Sequence, residues 1–363
     1  MNGKLNDSAK MAWAAASGLL GSSLPKDLRF PEKMTFRFRG RDATPEEVAH
    51  HCRRESQGRD VVFFVHGLMA DDSCWRFTSF DMTGAWERDF GIFPVHLCYN
   101  TGLHVSENGL QFAGLLEELF HCPEARTLPG KWHFVAHSMG GLVTRSALYQ
   151  AEKAGMEFTS RVDRVFLLAT PNRGAPLEKG VQAARLALQA APYLPFRYTG
   201  LGLRKLLGMI PVGEQGATLA PVGLTADFFV RQVPTFYLKL AGRILDLRSD
   251  GIADLRHGYM LREEWENRES WGGLKANKAP VPPLAHARYY AVAGGISKKK
   301  ANGPSPLRLD GMISTASAAN QGPGDELRFL ENNRYWELPG VLHFVMPFNP
   351  EVYRVLARWF AQD

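Results

Sequence analysis

The sequence predicts an α/β fold of three layers, with a mostly parallel central sheet and a largely helical cap inserted into it. Three observations carry this reading. Short, near-continuous apolar runs alternate with amphipathic segments, as in a sheet covered by helices on both faces. The alternation breaks after Pro171 and resumes at about residue 286. The chain then closes on a segment with helical apolar spacing.

Taken in order, Met11–Leu20 is small and apolar but follows Asp7, and no A-x-A cleavage pattern comes after it, so a packed N-terminal helix at about residues 8–22 is expected in place of a signal peptide. On that basis the chain reads as cytoplasmic, with secretion left open. Met34–Arg39 alternates apolar and polar, with Met34, Phe36 and Phe38 on one face, and suits a strand near a sheet edge with one solvated side. Val61–Val65, Phe93–Tyr99, His133–Ala136 and Val165–Ala169 are apolar almost throughout, as central parallel strands buried on both faces require.

Between these strands, Ser106–Leu119 carries Leu110, Phe112, Leu115, Leu116 and Leu119 at helical spacing, and a second helix is expected over Gly141–Glu152. From Pro171 to about Leu284, a helix at Leu177–Ala190 gives way to Pro192, Pro195, Pro211 and Pro221 among apolar clusters, which reads as an insertion. Strands are expected again at Arg288–Val292 and Leu342–Met346. Asn349 then caps a last helix with Pro350 in its first turn and Val352, Leu356 and Trp359 on its buried face. The expected organisation is a core of residues 1–170 and 286–363 with a cap at 171–285.

The 363 residues are 45% hydrophobic and 22% charged, enough to bury a large core and far from the composition of a disordered chain. No run approaches the ~18 unbroken apolar residues of a membrane span. The net charge of +6 is scattered, and its one dense run, Lys298–Lys300, reads as a solvated loop, so nucleic acid is not an expected partner. Cys52, Cys74, Cys98 and Cys122 form no CxxC and no metal-like spacing with histidine; they read as reduced and structural, and neither metal nor organic cofactor is expected.

The segment Ala136-His137-Ser138-Met139-Gly140 places a serine between a buried strand and a helix, with a small residue two positions away on either side. That is the strand-turn-helix context of a nucleophile elbow, in which bulky neighbours at those positions would block the strained turn. A serine hydroxyl is a weak nucleophile near neutral pH, so it needs a histidine base and a carboxylate to fix that base, in the chain order Ser, acid, His. Of eleven histidines only His257, His286 and His343 follow Ser138.

With these residues in view, the chain resembles the α/β-hydrolases of the bacterial lipase and esterase group, near triacylglycerol lipases and the hydrolase domain of GPI-inositol deacylases. The resemblance covers the elbow, with alanine in place of the usual first glycine, the segment around His66, Ala169–Gly174 and the C-terminal third. It implies that Leu68, after His66-Gly67, and Met139, after the nucleophile, lend backbone N–H groups to an oxyanion hole, with His66 as structural support. It also implies that His343 is the base, from its place before the last helix. Asp250 and Asp310 both match the Asp-Gly-hydrophobic turn of the acid. Asp310 is preferred because it follows the strand at Arg288–Val292, and Asp250 is kept as the alternative. Asn172 and Arg173 are expected to scaffold the site floor, and His104 is a candidate substrate contact beside a loop-shaping role.

The expected activity is hydrolysis of carboxylic esters through an acyl-serine intermediate, on a small-molecule or lipid substrate. The cap's apolar clusters, among them Leu206, Met209, Phe228 and Phe229, leave room for transient contact with a lipid surface. Lipid deacylation or acyl transfer by the same three residues, amide hydrolysis, and a catalytically silent scaffold are the competing readings.

Overall fold

The computed structural model describes residues 33–56, 59–77, 80–126, 130–175, 249–266, 278–297, 303–322, 327 and 329–362. The helices expected at about 8–22 and Leu177–Ala190, the cap's apolar clusters and Lys298–Lys300 lie outside the described residues.

Among the described residues ten strands follow in chain order: β1 (Thr35–Phe38), β2 (Arg41–Ala43), β3 (Val61–Val65), the short hairpin β4 (Arg76–Phe77) and β5 (Phe80–Asp81), β6 (Phe93–Cys98), β7 (Trp132–His137), β8 (Val162–Leu168), β9 (Arg288–Gly295) and β10 (Tyr335–Pro339). All but the hairpin join one sheet of order β10-β9-β8-β7-β3-β6-β1-β2. The run from β10 to β6 is parallel throughout, and β1 and β2 are antiparallel at one edge.

The uninterrupted apolar runs have a direct cause in this layering. Val61, Phe63 and Val65 of β3 face a core shared with the helices Val105–His121 and Met139–Ala154, whereas Val62 and Phe64 face a second core with Trp86, Leu356 and Trp359 from the helices Met82–Phe90 and Pro350–Gln362. Each strand residue therefore meets a helix whichever way it points. The last helix starts where expected, with Asn349 Oδ1 accepting from the N–H groups of Glu351 at 2.8 Å and Val352 at 3.3 Å. Leu255, Met260, Leu261, Val281 and Leu284, which fall within the expected cap span, pack into the same core as the sheet. The four cysteines are free thiols.

Two expectations are corrected. Leu342–Met346 is not a strand: His343–Phe348 is a 3₁₀ turn, and the last strand is β10, pairing in parallel with β9 along Tyr335–Pro339. β10 is an edge strand with half-buried residues, so it lacks the apolar run that marks a central strand, and the more apolar segment after it drew the assignment. The polar face of β1 is also not solvated. Arg37 is buried, with its guanidinium 2.7 Å from both Asp42 and Asp72. Asp42 of the neighbouring β2 and Asp72 of the turn Asp72–Trp75 flank its side chain, and a buried guanidinium persists there because carboxylates pair with it. Among the described residues no helix is long and apolar enough to cross a membrane.

Candidate active site

The loops at the carboxyl ends of the parallel strands build one cluster. After β3 the chain crosses to β6 on one side and returns to β7 on the other, the kind of switch point where open α/β sheets place their ligands. Ser138 stands there, between β7 and the helix Met139–Ala154, at φ 53° and ψ −121°. That conformation costs a non-glycine residue roughly 1–3 kcal/mol. It is held by Ser138 N–H donating to Leu168 O at 2.8 Å, and by close packing of the turn on the end of β3. A Cβ at Gly140 would lie 2.4 Å from His66 O and 2.5 Å from Val65 O, so only glycine fits the position two residues after the serine.

His343 brings Nε2 to 2.9 Å from Ser138 Oγ and Nδ1 to 2.9 Å from Asp310 Oδ2. A carboxylate only accepts, so Nδ1 carries the ring proton and Nε2 is left to accept from the serine hydroxyl. All three residues are buried. The second oxygen of Asp310, Oδ1, accepts from the N–H groups of Met312 at 3.0 Å and Ile313 at 2.7 Å, which fixes the carboxylate plane. Gly311, at φ 108°, permits that tight turn.

The loop after β3 approaches the elbow closely: a Cβ on Gly67 would lie 2.9 Å from His137 Nδ1 and 3.0 Å from Ser138 Cβ. Leu68 therefore follows a residue packed against the serine. Met139 opens its helix, so its N–H is one of the first-turn donors with no intrahelical acceptor. His66 braces this loop. Its Nδ1–H donates to Gly67 O at 3.0 Å, its ring stacks on Tyr99, and Tyr99 Oη donates to His66 O at 2.8 Å. Burial holds the His66 imidazole below its ordinary pKa, which keeps it neutral. Met69, in the left-handed region at φ 61°, donates its N–H to Thr101 Oγ1 at 3.1 Å. Sequence reading missed this link; the Asn-Thr-Gly turn ending β6 is its one visible trace.

Asp250 and His104 lie together in a different cluster. Asp250 opens the helix Asp250–His257 and sits 3.6 Å from His104 Nε2. His104 Nδ1 pairs with the buried Asp254 Oδ2 at 3.0 Å, and its ring stacks flat on Trp265 with centroids 3.7 Å apart. Asp254 Oδ2 also accepts from Val105 N–H at 2.8 Å, so His104 shapes the loop after β6 and ties it to the helix Asp250–His257. Burial would lower the His104 pKa, but the hydrogen bond and charge of Asp254, with Asp250 and Glu107 behind, outweigh it and push the value up. His257 stacks on Tyr259 and His286 contacts Thr159 O.

Asn172 and Arg173 bind the turn after β8 to the segment following Asp310. Asn172 Oδ1 accepts from Arg145 and its Nδ2 donates to Ala318 O, both at 3.0 Å, while Arg173 N–H donates to Ser317 Oγ at 3.1 Å. Among the described residues no group of three or more His, Cys, Asp or Glu is arranged to hold a metal ion.

No protein-family model matches the sequence, and neither does any curated protein. Solved structures similar to this chain include lipase BlEst2 of Bacillus licheniformis in mature form, with 17% identity over 83% of this chain and 92% of that one at a TM-score of 0.40. A carboxyl esterase of Bacillus coagulans has 13% identity over 84% and 89% at 0.40, and an esterase of Thermogutta terrifontis has 16% over 84% and 90% at 0.37. Identities and scores this low say nothing of what this chain acts on. Its own topology assigns the architecture: six parallel strands with an antiparallel pair at one edge, and a strained serine at the end of β7 facing a histidine placed after the last strand, give this chain the α/β-hydrolase fold.

Proposed function

We propose that this protein hydrolyses carboxylic esters through an acyl-serine intermediate, with Ser138 as nucleophile, His343 as general base and acid, and Asp310 as the orienting carboxylate. The observation that carries the reading is the continuous relay at 2.9 Å and 2.9 Å from Ser138 Oγ through the imidazole to Asp310. In this scheme Oγ attacks the ester carbonyl carbon while its proton passes to His343 Nε2. The carbonyl oxygen becomes an oxyanion that the Leu68 and Met139 N–H groups stabilise. Collapse breaks the bond to the alcohol, which leaves with the proton from Nε2. Water then attacks the acyl-serine with His343 again as base, releasing the acid and restoring Ser138.

The test is turnover of p-nitrophenyl esters from acetate to palmitate by the wild type and by Ser138→Ala. Turnover that disappears in Ser138→Ala is the expected result, and its chain-length optimum separates an esterase of short acyl groups from a lipase. Absence of both turnover and covalent labelling by a serine-directed phosphonate would overturn the reading.

A further inference from the structure

The residue before the nucleophile has an unusual partner. His137 is buried, and its Nε2 lies 3.0 Å from the backbone carbonyl oxygen of His343, 206 residues further along the chain. A carbonyl only accepts, so Nε2 carries the ring proton and donates it. The two imidazoles lie 4.9 Å apart, inclined at 47°, and on the other side Nδ1 abuts the Gly67 backbone, where even a methyl group would come within 2.9 Å. The ring is wedged and has one strong use for its proton. Burial, followed by the neighbouring His343 ring, holds its pKa well below the ordinary histidine value, although the hydrogen bond to the His343 carbonyl pulls the other way.

His343 needs such a hold. It sits at the first position of a short 3₁₀ turn, where its N–H has no acceptor within the turn. Its N–H donates to Asp310 O at 2.9 Å and its C=O accepts from His137. We propose that His137 is a positioning residue: its Nε2–H fixes the peptide of His343 against the elbow, so that the side chain of His343 meets Ser138 Oγ at a set distance. Base and elbow are then joined reciprocally. Ser138 reaches His343 through side chains, and His137 reaches it through the backbone. A displacement of about 1 Å at a reacting group costs on the order of 10²-fold in rate, the scale on which a lost clamp shows.

The proposal rests on the serine-hydrolase reading and is tested by variants that differ in one hydrogen-bond donor. His137→Leu and His137→Met lack the donor, whereas His137→Gln places an amide N–H about as far from the backbone as imidazole Nε2. The expected result is a fall in kcat of roughly 10- to 100-fold for the Leu and Met variants at unchanged KM, with most of it recovered in His137→Gln. A second readout needs no substrate: the far-downfield proton of His343 Nδ1, bonded to Asp310, should be sharp in the wild type and His137→Gln and broadened or lost in the variants without a donor. Wild-type kcat and an unchanged downfield proton in His137→Leu or His137→Met, or equal impairment in His137→Gln, would overturn the role. An inactive wild type that keeps the pattern of downfield signals would instead sink the ester reading and leave the clamp standing.

Discussion

Asp310 and His343 are joined twice, once through Oδ2 and Nδ1 at 2.9 Å and once through the Asp310 carbonyl and the His343 N–H at 2.9 Å. The backbone link survives any change of the side chain. Asp310→Asn should therefore keep its fold and melting temperature close to wild type while kcat drops by roughly 10³- to 10⁴-fold, because an amide cannot hold the imidazole in the tautomer that accepts from serine. Asp250→Asn, altered in the separate cluster with His104, should leave kcat within a few-fold. Steady-state kinetics with a thermal melt on both variants checks this, and the reverse pattern would mean that the acid lies elsewhere.

Thr101 Oγ1 accepts the N–H of Met69, the residue directly after the proposed oxyanion donor Leu68. Thr101→Val keeps the volume and removes the acceptor, leaving an amide unpaired beside a strained φ. An unsatisfied amide of this kind costs ~1–3 kcal/mol, so kcat should fall by roughly ten-fold with KM little changed. Leu68→Ala, which alters a side chain and spares its backbone N–H, should cost much less. Equal effects of the two substitutions would show that the Thr101 link does not govern the loop.

His104 is held above its ordinary pKa although burial opposes this, because Asp254 pairs with it. A raised value means that the folded chain binds this proton more tightly than the unfolded one. The stabilisation is complete below the ordinary histidine value of about 6.5 and is lost as pH rises through the raised folded value. Titration of the His104 ring proton by NMR should give a midpoint above about 6.5 in the wild type. In Asp254→Asn the midpoint should move down, since burial then acts with less opposition. A midpoint that stays put in Asp254→Asn would remove the pairing as the cause.

What could be read from the chain and what could not divides along physical lines. Val61–Val65 was legible to the residue because both faces of a central strand are buried, and composition alone records that. Tyr335–Pro339 was not, since an edge strand with half-buried residues has no such mark. The burial of Arg37 depends on Asp72, 35 residues away, and no periodicity within β1 reports a distant carboxylate. In the candidate site, Ser138 stood out by its turn between strand and helix, whereas His343 and Asp310, with Asp250 as the alternative acid, were reached through the resemblance to a known family; the structure brings the side chains of Ser138, His343 and Asp310 together. The bonds from His137 to the His343 carbonyl and from Thr101 to Met69 join side chains to backbone groups across long separations, and such bonds leave no pattern in sequence.

The turn after β8 also has a consequence for how the chain can change. Ala175 N–H donates to Leu255 O at 3.1 Å, and Gly174 packs so closely on the Arg256 carbonyl that a Cβ there would come within 2.4 Å. Residues 174–175 and 255–256, far apart in the chain, are thus stapled to each other by the core's own backbone. The junction therefore ties the turn after β8 to the helix Asp250–His257 through backbone groups alone, so side-chain substitutions around it leave the tie in place, whereas a side chain at Gly174 itself would force the two apart.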